Sequence, residues 1–464
     1  MKRKTLASLL LSVIVSVFAV SLSASVVVPY PAVPGLKTSE IYHVKVNGHQ
    51  VWTEQFRTHF DFDKLPDWFS APYVSVQQEI HQAGFACNGT LEISVTVPGP
   101  ITKASVRPAS REIKTKVDGN TLTFSIPGPD KLYIEINDYA PLCLFADPLE
   151  KNIPSPDDPA VHYFGPGVHH PGYIRLKDNE TLYIAPGAIV YGGIRADSVS
   201  NIRVTGRGIL DGNFKFRRMV RMENCKNISV DGVMFRYGNG WTNTLVNCEN
   251  LTYQGVKVLS FGPGGDGINP LESRNVEVSD CFLRCTDDCM AIKSPSGKYN
   301  VKNILVKDNT MIGYAYSDGI TIGYETNGPE ISNVKVQNCD ILLARGGSRV
   351  DGHSGFSIIC DGPSKIHDIL FEDIRVEKAE DKLFEINITN GTLYGNNPPG
   401  HVKNVTLRNI KWYHTGPIVL KGFDKTHRVQ NIVFVNCTVA GQPLEKVKGE
   451  VMDVNSYVDN VVVK

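Results

Sequence analysis

Four aspartates with the chemistry of acids and bases recur at nearly the same place in three consecutive repeats of this 464-residue chain. Each repeat starts at an Asn, and the offsets are 16 from Asn250 to Asp266, 12 and 13 from Asn275 to Asp287 and Asp288, and 15 from Asn303 to Asp318. Two carboxyl groups about 6.5–9.5 Å apart, one protonated and one ionised, can cleave a glycosidic bond with inversion. The spacing therefore predicts a hydrolytic site on one face of adjacent repeats.

The consecutive pair Asp287 and Asp288 sets a condition on this interpretation. Neighbouring residues of a regular strand point to opposite faces, so both side chains can share one cleft only where the chain bends or bulges. Stacked carboxylates also repel one another, which destabilises a fold unless a cation or shared protons compensate. A structural aspartate ladder and a calcium site built from the same oxygens stay open as alternatives to catalysis.

The repeats that must position these residues share one short phrase, an Asn or Asp followed by alternating apolar and polar residues. It begins at Asn201, Asn227, Asn250, Asn275, Asn303, Asn333, Asp368, Asn404, Asn431 and Asn460. A repeat of about 20–50 residues built from alternating stretches is typical of a solenoid or a propeller. The absence of helical spacing inside the phrase favours an all-β parallel β-helix, with a propeller as the alternative. In a β-helix the Asn residues would share one corner, satisfy the turn backbone and tolerate left-handed geometry.

Three segments of different composition divide the chain. A basic start, an apolar stretch and small residues over 1–25 are typical of a signal peptide, so we predict an exported protein, periplasmic or extracellular. Residues 26–155 alternate in short stretches, with a hairpin signal at 118–120, and predict an antiparallel β-sandwich. Residues 160–464 carry the repeats and form the predicted catalytic domain.

The overall charge excludes two classes of partner. Lysine and arginine equal aspartate and glutamate at 48 each, so the net charge gives no reason to expect nucleic acid or an anionic membrane. Beyond the signal segment no apolar run is long enough to span a bilayer. The expected partner is a polysaccharide or oligosaccharide substrate.

Three motifs carry a family resemblance: Gly265–Gly267 (Gly-Asp-Gly), Thr286–Ser294 (with Asp-Asp-Cys-Met-Ala-Ile) and Ser317–Gly323 (with Asp-Gly-Ile-Thr-Ile). Over roughly residues 160–440 the chain resembles the family 28 glycoside hydrolases, the polygalacturonases. The resemblance implies an enzyme with a right-handed parallel β-helix that hydrolyses O-glycosidic bonds.

The same resemblance implies the role of each aspartate. Asp287 would be the general acid, and Asp266 and Asp288 would hold and deprotonate the water. No cofactor and no metal ion is expected at the site.

Two departures from the polygalacturonase pattern bear on the substrate. Asp318 stands where the family has a His, and Ser348–Asp351 keeps Arg349 but lacks the Lys of the family's Arg-Ile-Lys. A carboxylate beside the sugar favours hydroxyl groups over another carboxylate, so we expect a substrate that is neutral around the cleaved bond. The β-sandwich and Leu182–Val190 are similar to family 49, the dextranases and isopullulanases, and the chain is identified as a member of this clan between the two families.

Further residues are predicted to line the cleft and bind substrate. Trp241 lies one repeat before Asp266, Tyr324 and Glu325 follow Asp318, and Lys293 follows the aspartate pair, while Arg349 keeps its basic group. Aromatic faces stack on sugar rings. Simple packing is the alternative for Trp241 and Tyr324, as is solvent exposure for Lys293.

Two other function classes fit the same fold. A non-catalytic carbohydrate-binding β-helix would bind glycans without turnover. A polysaccharide lyase would produce unsaturated uronates that absorb in the ultraviolet, whereas a hydrolase produces only new reducing ends.

Overall fold

The computed structural model describes residues 25–64, 78–346, 352–391 and 394–464, and strands dominate this part of the chain. Two short sheets form an N-terminal β-sandwich, and the longer sheets that follow form a right-handed parallel β-helix, as the sequence predicts. The predicted signal segment, apart from Ser25, lies outside the described residues. No helix in the described ranges is long and apolar enough to cross a membrane.

The β-sandwich consists of a six-stranded and a five-stranded sheet packed on one apolar core. Its strands are β1 Val26–Pro29, β2 His43–Val46, β3 His49–Val51, β4 Thr53–Arg57, β5 Glu79–Asn88, β6 Leu91–Thr96, β7 Ala104–Arg107, β8 Thr115–Asp118, β9 Thr121–Ile126, β10 Asp130–Ile136 and β11 Leu142–Pro148. The pairings are antiparallel, as predicted, except that β5 and β11 run parallel. This exception arises because β11 forms a hairpin with β10, which fixes its direction before it inserts beside β5.

Each central coil of the β-helix contributes one strand to each of three parallel faces, whereas the first coils have no separate strand on the second face. The first face contains β12 Val161–Phe164, β14 Thr181–Ile184, β16 Ser200–Gly206, β19 Lys226–Asp231, β22 Glu249–Gln254, β25 Arg274–Ser279, β28 Val301–Lys307, β31 Glu330–Gln337, β34 Lys365–Glu372, β37 His401–Arg408, β40 Val429–Val435 and β44 Val458–Val463. The second face contains β17 Ile209–Asp211, β20 Met234–Arg236, β23 Lys257–Leu259, β26 Phe282–Cys285, β29 Thr310–Gly313, β32 Asp340–Ala344, β35 Arg375–Val376, β38 Lys411–Trp412 and β41 Thr438–Val439.

The third face holds the strands that follow the candidate site residues. It contains β13 Gly167–Arg175, β15 Ala188–Asp197, β18 Val220–Glu223, β21 Asn243–Val246, β24 Ile268–Leu271, β27 Met290–Ser294, β30 Ile320–Thr326, β33 Ser354–Cys360, β36 Lys382–Ile388, β39 Ile418–Lys421 and β43 Met452–Val454. Strand β42 Gln442–Pro443 and helix α1 Leu444–Val451 follow the second face near the C-terminus, and 3₁₀ turns cover Phe62–Lys64 and Ala109–Arg111. Alternate Val, Ile and Leu side chains of the three faces fill one continuous core.

The Asn residues that start the repeats share one corner of the helix. All ten repeat starts have φ between 51° and 59°, the left-handed region that Asn and Asp tolerate best. The amides bond to one another along the stack, for example Asn250 Nδ2 to Asn227 Oδ1 at 3.0 Å. The expected bonds to the turn backbone are therefore replaced by an amide ladder, because equivalent side chains lie one strand spacing apart.

The β-sandwich contacts the β-helix through buried ion pairs. Arg236 on the second face donates to Glu54 of β4 at 2.8 Å and to Asp211 at 2.7 Å. Lys257 Nζ lies 2.5 Å from Asp147 of β11. Paired charges of this kind are costly to separate once buried, so they fix how the two units meet.

Candidate active site

The candidate site lies at the corner where each coil turns from the second face into the third face. The strands that follow this corner are paired in register at Ile268, Met290 and Ile320. Two residues before these stand Asp266, Asp288 and Asp318, so three aspartates occupy one backbone position on adjacent coils, about 4.8 Å apart. The structure thus brings together three of the four aspartates by register alone.

The fourth aspartate, Asp287, lies with Asp288 in the turn between β26 and β27 and not within a strand, which meets the condition for a shared cleft. The Asp288 amide donates to Asp287 Oδ1 at 3.0 Å. The Ser317 hydroxyl on the next coil donates to the Asp287 carbonyl at 2.6 Å. Asp288 is only 5% exposed, whereas Asp287 is half-buried, so Asp287 is the more accessible carboxyl of the pair.

Burial and like charge change the acid strengths of these groups. Burial, and then the charges of Asp287 and Asp318, raise the pKa of Asp288 to about 8. Burial also holds the pKa of Asp266 well above its usual range, against the opposing effect of Lys293, whose Nζ lies 3.7 Å from Asp266 Oδ2. The pKa of about 8 keeps the Asp288 carboxyl protonated near neutral pH, which limits the mutual repulsion of the carboxyl groups.

Asp318 is anchored by hydrogen bonds from the following coil. His353 Nδ1 lies 2.9 Å from Asp318 Oδ1, the Ser354 amide donates to the same oxygen at 2.8 Å, and the Ser357 hydroxyl donates to Oδ2. Since Asp318 accepts at both oxygens, it orients the imidazole with Nδ1–H toward itself. His353 Nε2 has no hydrogen-bond partner in the described part of the chain, although it is buried.

The imidazole of His353 is held in place on a second side by Tyr316, whose ring centroid lies 3.8 Å from its own in an edge-on contact. Burial lowers the pKa of His353, but the hydrogen bond and charge of Asp318 and the charges of Asp288 and Asp287 outweigh it, so the net pKa is raised. The cleft therefore contains an oriented imidazole beside its carboxyl groups.

Lys293, expected to bind substrate or face solvent, is only 6% exposed and is paired within the site. Its Nζ lies 2.9 Å from Glu325 Oε2 and 4.7 Å from the ring centroid of Trp241. Trp241 is half-buried, and the guanidinium of Arg218 lies 4.4 Å from its ring centroid. Lys293, Glu325 and Trp241 are thus one cluster beside Asp266.

Tyr324 borders the same cleft and packs edge-on against Tyr394 with ring centroids 6.0 Å apart. Burial, followed by the charges of Asp318 and Glu385, holds its pKa well above the usual range. The phenol therefore stays protonated and can donate a hydrogen bond.

Arg349 and Asp351 lie outside the described residues, so their proposed roles rest on the sequence. On the described part of that coil, β33 places Ser357 in register with Thr321. A small hydroxyl, already bonded to Asp318, occupies the cleft floor there.

The sequence analysis missed a polar floor beneath the aspartates. Thr244, Asn269 and Thr321 each have a buried oxygen with no hydrogen-bond partner within the described ranges. Each lies three residues after the corner position, which is occupied by Trp241, Asp266 or Asp318 in the respective coil. Counting onward from the corner would have found them, and at 1% exposure or less they lie beneath the side chains of the corner.

A metal ion could be considered at Asp288, Asp318 and His353, whose ligand atoms lie within 4.8 Å of one another. Both oxygens of Asp318 already accept hydrogen bonds, and a cation would have to compete with them. These contacts fit a hydrogen-bonded network better than a coordination sphere.

Comparison with known proteins shows the family to which the chain belongs. The model of the glycosyl hydrolases family 28 matches residues 192–448, more than half of the chain. The chain belongs to this family, which confirms the resemblance carried by its aspartate motifs.

Individual relatives are distant. An exopolygalacturonase of Arabidopsis thaliana is 24% identical over 194 residues, covering 41% of this chain and 43% of the relative. A probable exopolygalacturonase B of Aspergillus niger is 22% identical over 245 residues, covering 45% and 53%. The chain spans about half the length or less of these curated relatives.

Two solved structures share the architecture. Dex49A from Penicillium minioluteum aligns with a TM-score of 0.61 at 16% identity, covering 94% of this chain and 96% of its own. The exopolygalacturonase of Thermotoga maritima aligns with a TM-score of 0.53 at 18% identity, covering 65% and 83%. At these identities the similarity concerns the fold, and the first match extends over nearly the whole of both chains.

Proposed function

We propose that the protein is an exported glycoside hydrolase that cleaves O-glycosidic bonds of a polysaccharide or oligosaccharide with inversion. The observation that carries this proposal is the corner on two adjacent coils that collects Asp266, Asp287 and Asp288 beside a polar floor. Family membership supports hydrolysis of a glycosidic bond as the reaction. Inverting hydrolysis needs one protonated carboxyl and one ionised carboxylate on opposite sides of the bond.

Exposure and charge support separate roles for the three aspartates. Asp287, half-buried at the turn, is the general acid that protonates the leaving oxygen. Asp266 and Asp288, buried behind it, hold the water and take its proton. Lys293 stabilises the carboxylate of Asp266 against the effect of burial, so we assign acceptance of the proton to Asp266 and the holding of the water to Asp288, whose pKa burial raises to about 8.

The buried imidazole completes the proposed site. Asp318 orients His353, and the unpartnered Nε2 serves as a donor or acceptor to a hydroxyl of the sugar at the cleaved bond. A buried polar atom without a partner costs free energy until a ligand satisfies it. Binding of a hydroxylated ring in this cleft supplies that partner.

The charges around the site support a substrate that is neutral at the cleaved bond. Lys293 is a basic side chain beside the aspartates, and Glu325 and Asp266 already pair with it. Asp318 and Glu385 add carboxylates near Tyr324. A uronate carboxylate would meet like charge in a partly dehydrated cleft, where repulsion is stronger than in water.

A glycan panel with one variant and one control tests the proposal. Neutral α-glucans, galactans and polygalacturonate are incubated with the wild type, Asp287→Asn and Asp138→Asn, an exposed control in the β-sandwich. We expect new reducing ends without ultraviolet absorbance from a neutral glycan, an unchanged rate for the control, and a loss of about 10²- to 10⁴-fold or more for Asp287→Asn.

Three outcomes would contradict parts of the proposal. Ultraviolet-absorbing products would indicate a lyase, and affinity without turnover on every glycan would indicate a binding protein. Cleavage of polygalacturonate alone would overturn the neutral substrate and leave the catalytic roles standing.

A further inference from the structure

A line of arginines runs along the third face on the N-terminal side of the site. β13 pairs Arg175 with Arg195 of β15, and β15 pairs Arg195 with Arg221 of β18. Their neighbours Ile174, Ile194 and Val220 point into the core, so the three arginines point outward. The same register continues to Thr244 and Asn269 of the cleft floor. The arginines are therefore in register with the buried polar residues beneath the candidate site.

Two further arginines, Arg217 and Arg218, precede β18 and add to the positive charge. Burial lowers the pKa of Arg218, and the like charges of Arg221 and Arg217 lower it further. Within the described residues no ion pair joins Arg175, Arg217 or Arg218 to a carboxylate, whereas Arg221 contacts Glu223 at 2.5 Å. Positive charges that no carboxylate neutralises repel one another, and a bound anion would offset this repulsion.

The guanidinium of Arg195 is held rigidly within this line. Its Nη atoms donate at 2.7–3.0 Å to the main-chain carbonyls of Ile194 and of residues 217–219 on the next coil, and the group lies 4.1 Å from the ring centroid of Tyr173. The charge is thereby fixed in position at the surface. A fixed, planar cation is the group best suited to a carboxylate or a sulfate.

A hollow of about 340 Å³ opens over the arginines and is lined by Arg175, Leu176, Arg195, Ala196, Asp197, Arg221 and Glu223. This volume falls within the range of about 300–1,000 Å³ for small-molecule sites. Arg221 lies two coils from Asp266, roughly 10 Å along the stack. Trp241 stands between them on the intervening coil, so a glycan bound at the aspartates would pass over an aromatic ring to reach the hollow.

We propose that this hollow binds the carboxylate or sulfate group of an acidic sugar that belongs to the same glycan as the bond cleaved at the aspartates. This inference rests on the proposed function and narrows its substrate class to a glycan that is neutral at the cleaved bond and anionic a short distance away. Asp197 and Glu223 restrict the hollow to one anionic group, because their carboxylates would repel a second one at its far end.

Isothermal titration with the Asp287→Asn protein tests this inference, because binding is then measured without turnover. The probes are tetragalacturonate for carboxylate, a κ-carrageenan tetrasaccharide for sulfate, and isomaltotetraose as the neutral oligosaccharide. The variants, each added to Asp287→Asn, are Arg175→Gln with Arg221→Gln, Arg175→Gln alone, and Lys302→Gln on the first face as the control. Thermal unfolding establishes that each variant is folded.

We expect one acidic probe to bind more tightly than the neutral probe and to lose affinity as NaCl rises from 0.05 to 0.5 M, about the range over which charges become screened. The double arginine variant should weaken that probe about tenfold or more, with a smaller loss for Arg175→Gln and none for Lys302→Gln. The acidic probe that binds more tightly shows whether the hollow prefers a carboxylate or a sulfate group.

Acidic probes that bind no better than isomaltotetraose, or that bind the double arginine variant unchanged, would overturn the inference. Since affinity is measured in a variant that needs no activity, such a result leaves the proposed hydrolysis untouched. Conversely, full turnover by Asp287→Asn would refute the catalytic roles and not the anion site.

Discussion

At the scale of single residues, Asp288 makes the clearest prediction because its pKa is raised from an ordinary value of about 3.9 to about 8. Between these two values the folded protein binds more protons than the unfolded chain. The contribution of Asp288 to stability is therefore fully present below pH 4 and is lost as the pH rises to about 8.

Asp288→Asn should remove this loss of stability with rising pH, because an amide does not ionise. We expect the variant to match the wild type near pH 4 and to exceed its free energy of unfolding by on the order of 1–3 kcal/mol at pH 8. Denaturant titrations across this pH range measure the difference, with Asp138→Asn as the exposed control. Equal pH dependence in the variant and the wild type would show that Asp288 ionises normally.

His353 makes a second prediction at this scale. His353→Gln should lower kcat/KM about 10- to 100-fold, because it removes an oriented ring nitrogen from the cleft. Asp318→Asn should cause a similar loss through misorientation of the ring, and the double variant should lose little more than either single one, since the two residues act as a pair.

The pH profile of kcat/KM distinguishes this role from simple packing. Loss of His353 should shift the profile, because its charge lowers the pKa of Asp288. Additive losses with an unshifted profile would assign both residues to packing alone.

At the scale of the repeating elements, the amide ladder can be tested at one rung. Asn250 donates to Asn227 at 3.0 Å and accepts from Asn275 at 3.0 Å, with φ of 59°. Asn250→Ala loses both bonds and strains the backbone, so we expect a destabilisation of about 1–3 kcal/mol. Asn250→Gly relieves the strain and should cost less, and thermal unfolding compares the two. Equal losses would mean that the left-handed geometry contributes nothing.

The coils and the shared position of the candidate site residues could be predicted from the sequence for the same physical reason. Each Asn fixes a left-handed turn, and nearly constant offsets then carry Asp266, Asp287 and Asp288 to one corner. His353 could not be paired with Asp318 in this way, because 35 residues and a loop of unpredictable length separate them. The burial of Lys293 could not be predicted from the sequence either, because its partner Glu325 comes from the next coil.

At the scale of the whole molecule, a neutral chain carries strongly separated charges. The equal numbers of acidic and basic residues gave no reason to expect nucleic acid or an anionic membrane, yet carboxylates collect at the cleft and Arg175, Arg195 and Arg221 align beside it. The arginines precede the first recognised repeat at Asn201 or lie just after it, and their spacings of 20 and 26 residues show no pattern on their own. Their register became visible only when the coils were stacked.

The stereochemistry of the first product tests the central claim most directly. With Asp287 protonating the leaving oxygen and Asp266 and Asp288 activating water on the opposite side, cleavage proceeds by one displacement. Proton NMR, recorded on the wild type with the glycan that it cleaves fastest before mutarotation mixes the anomers, should show a first-formed product with the configuration opposite to that of the cleaved bond. A first product that retains the original configuration would require a covalent intermediate and would contradict the roles assigned to the three aspartates.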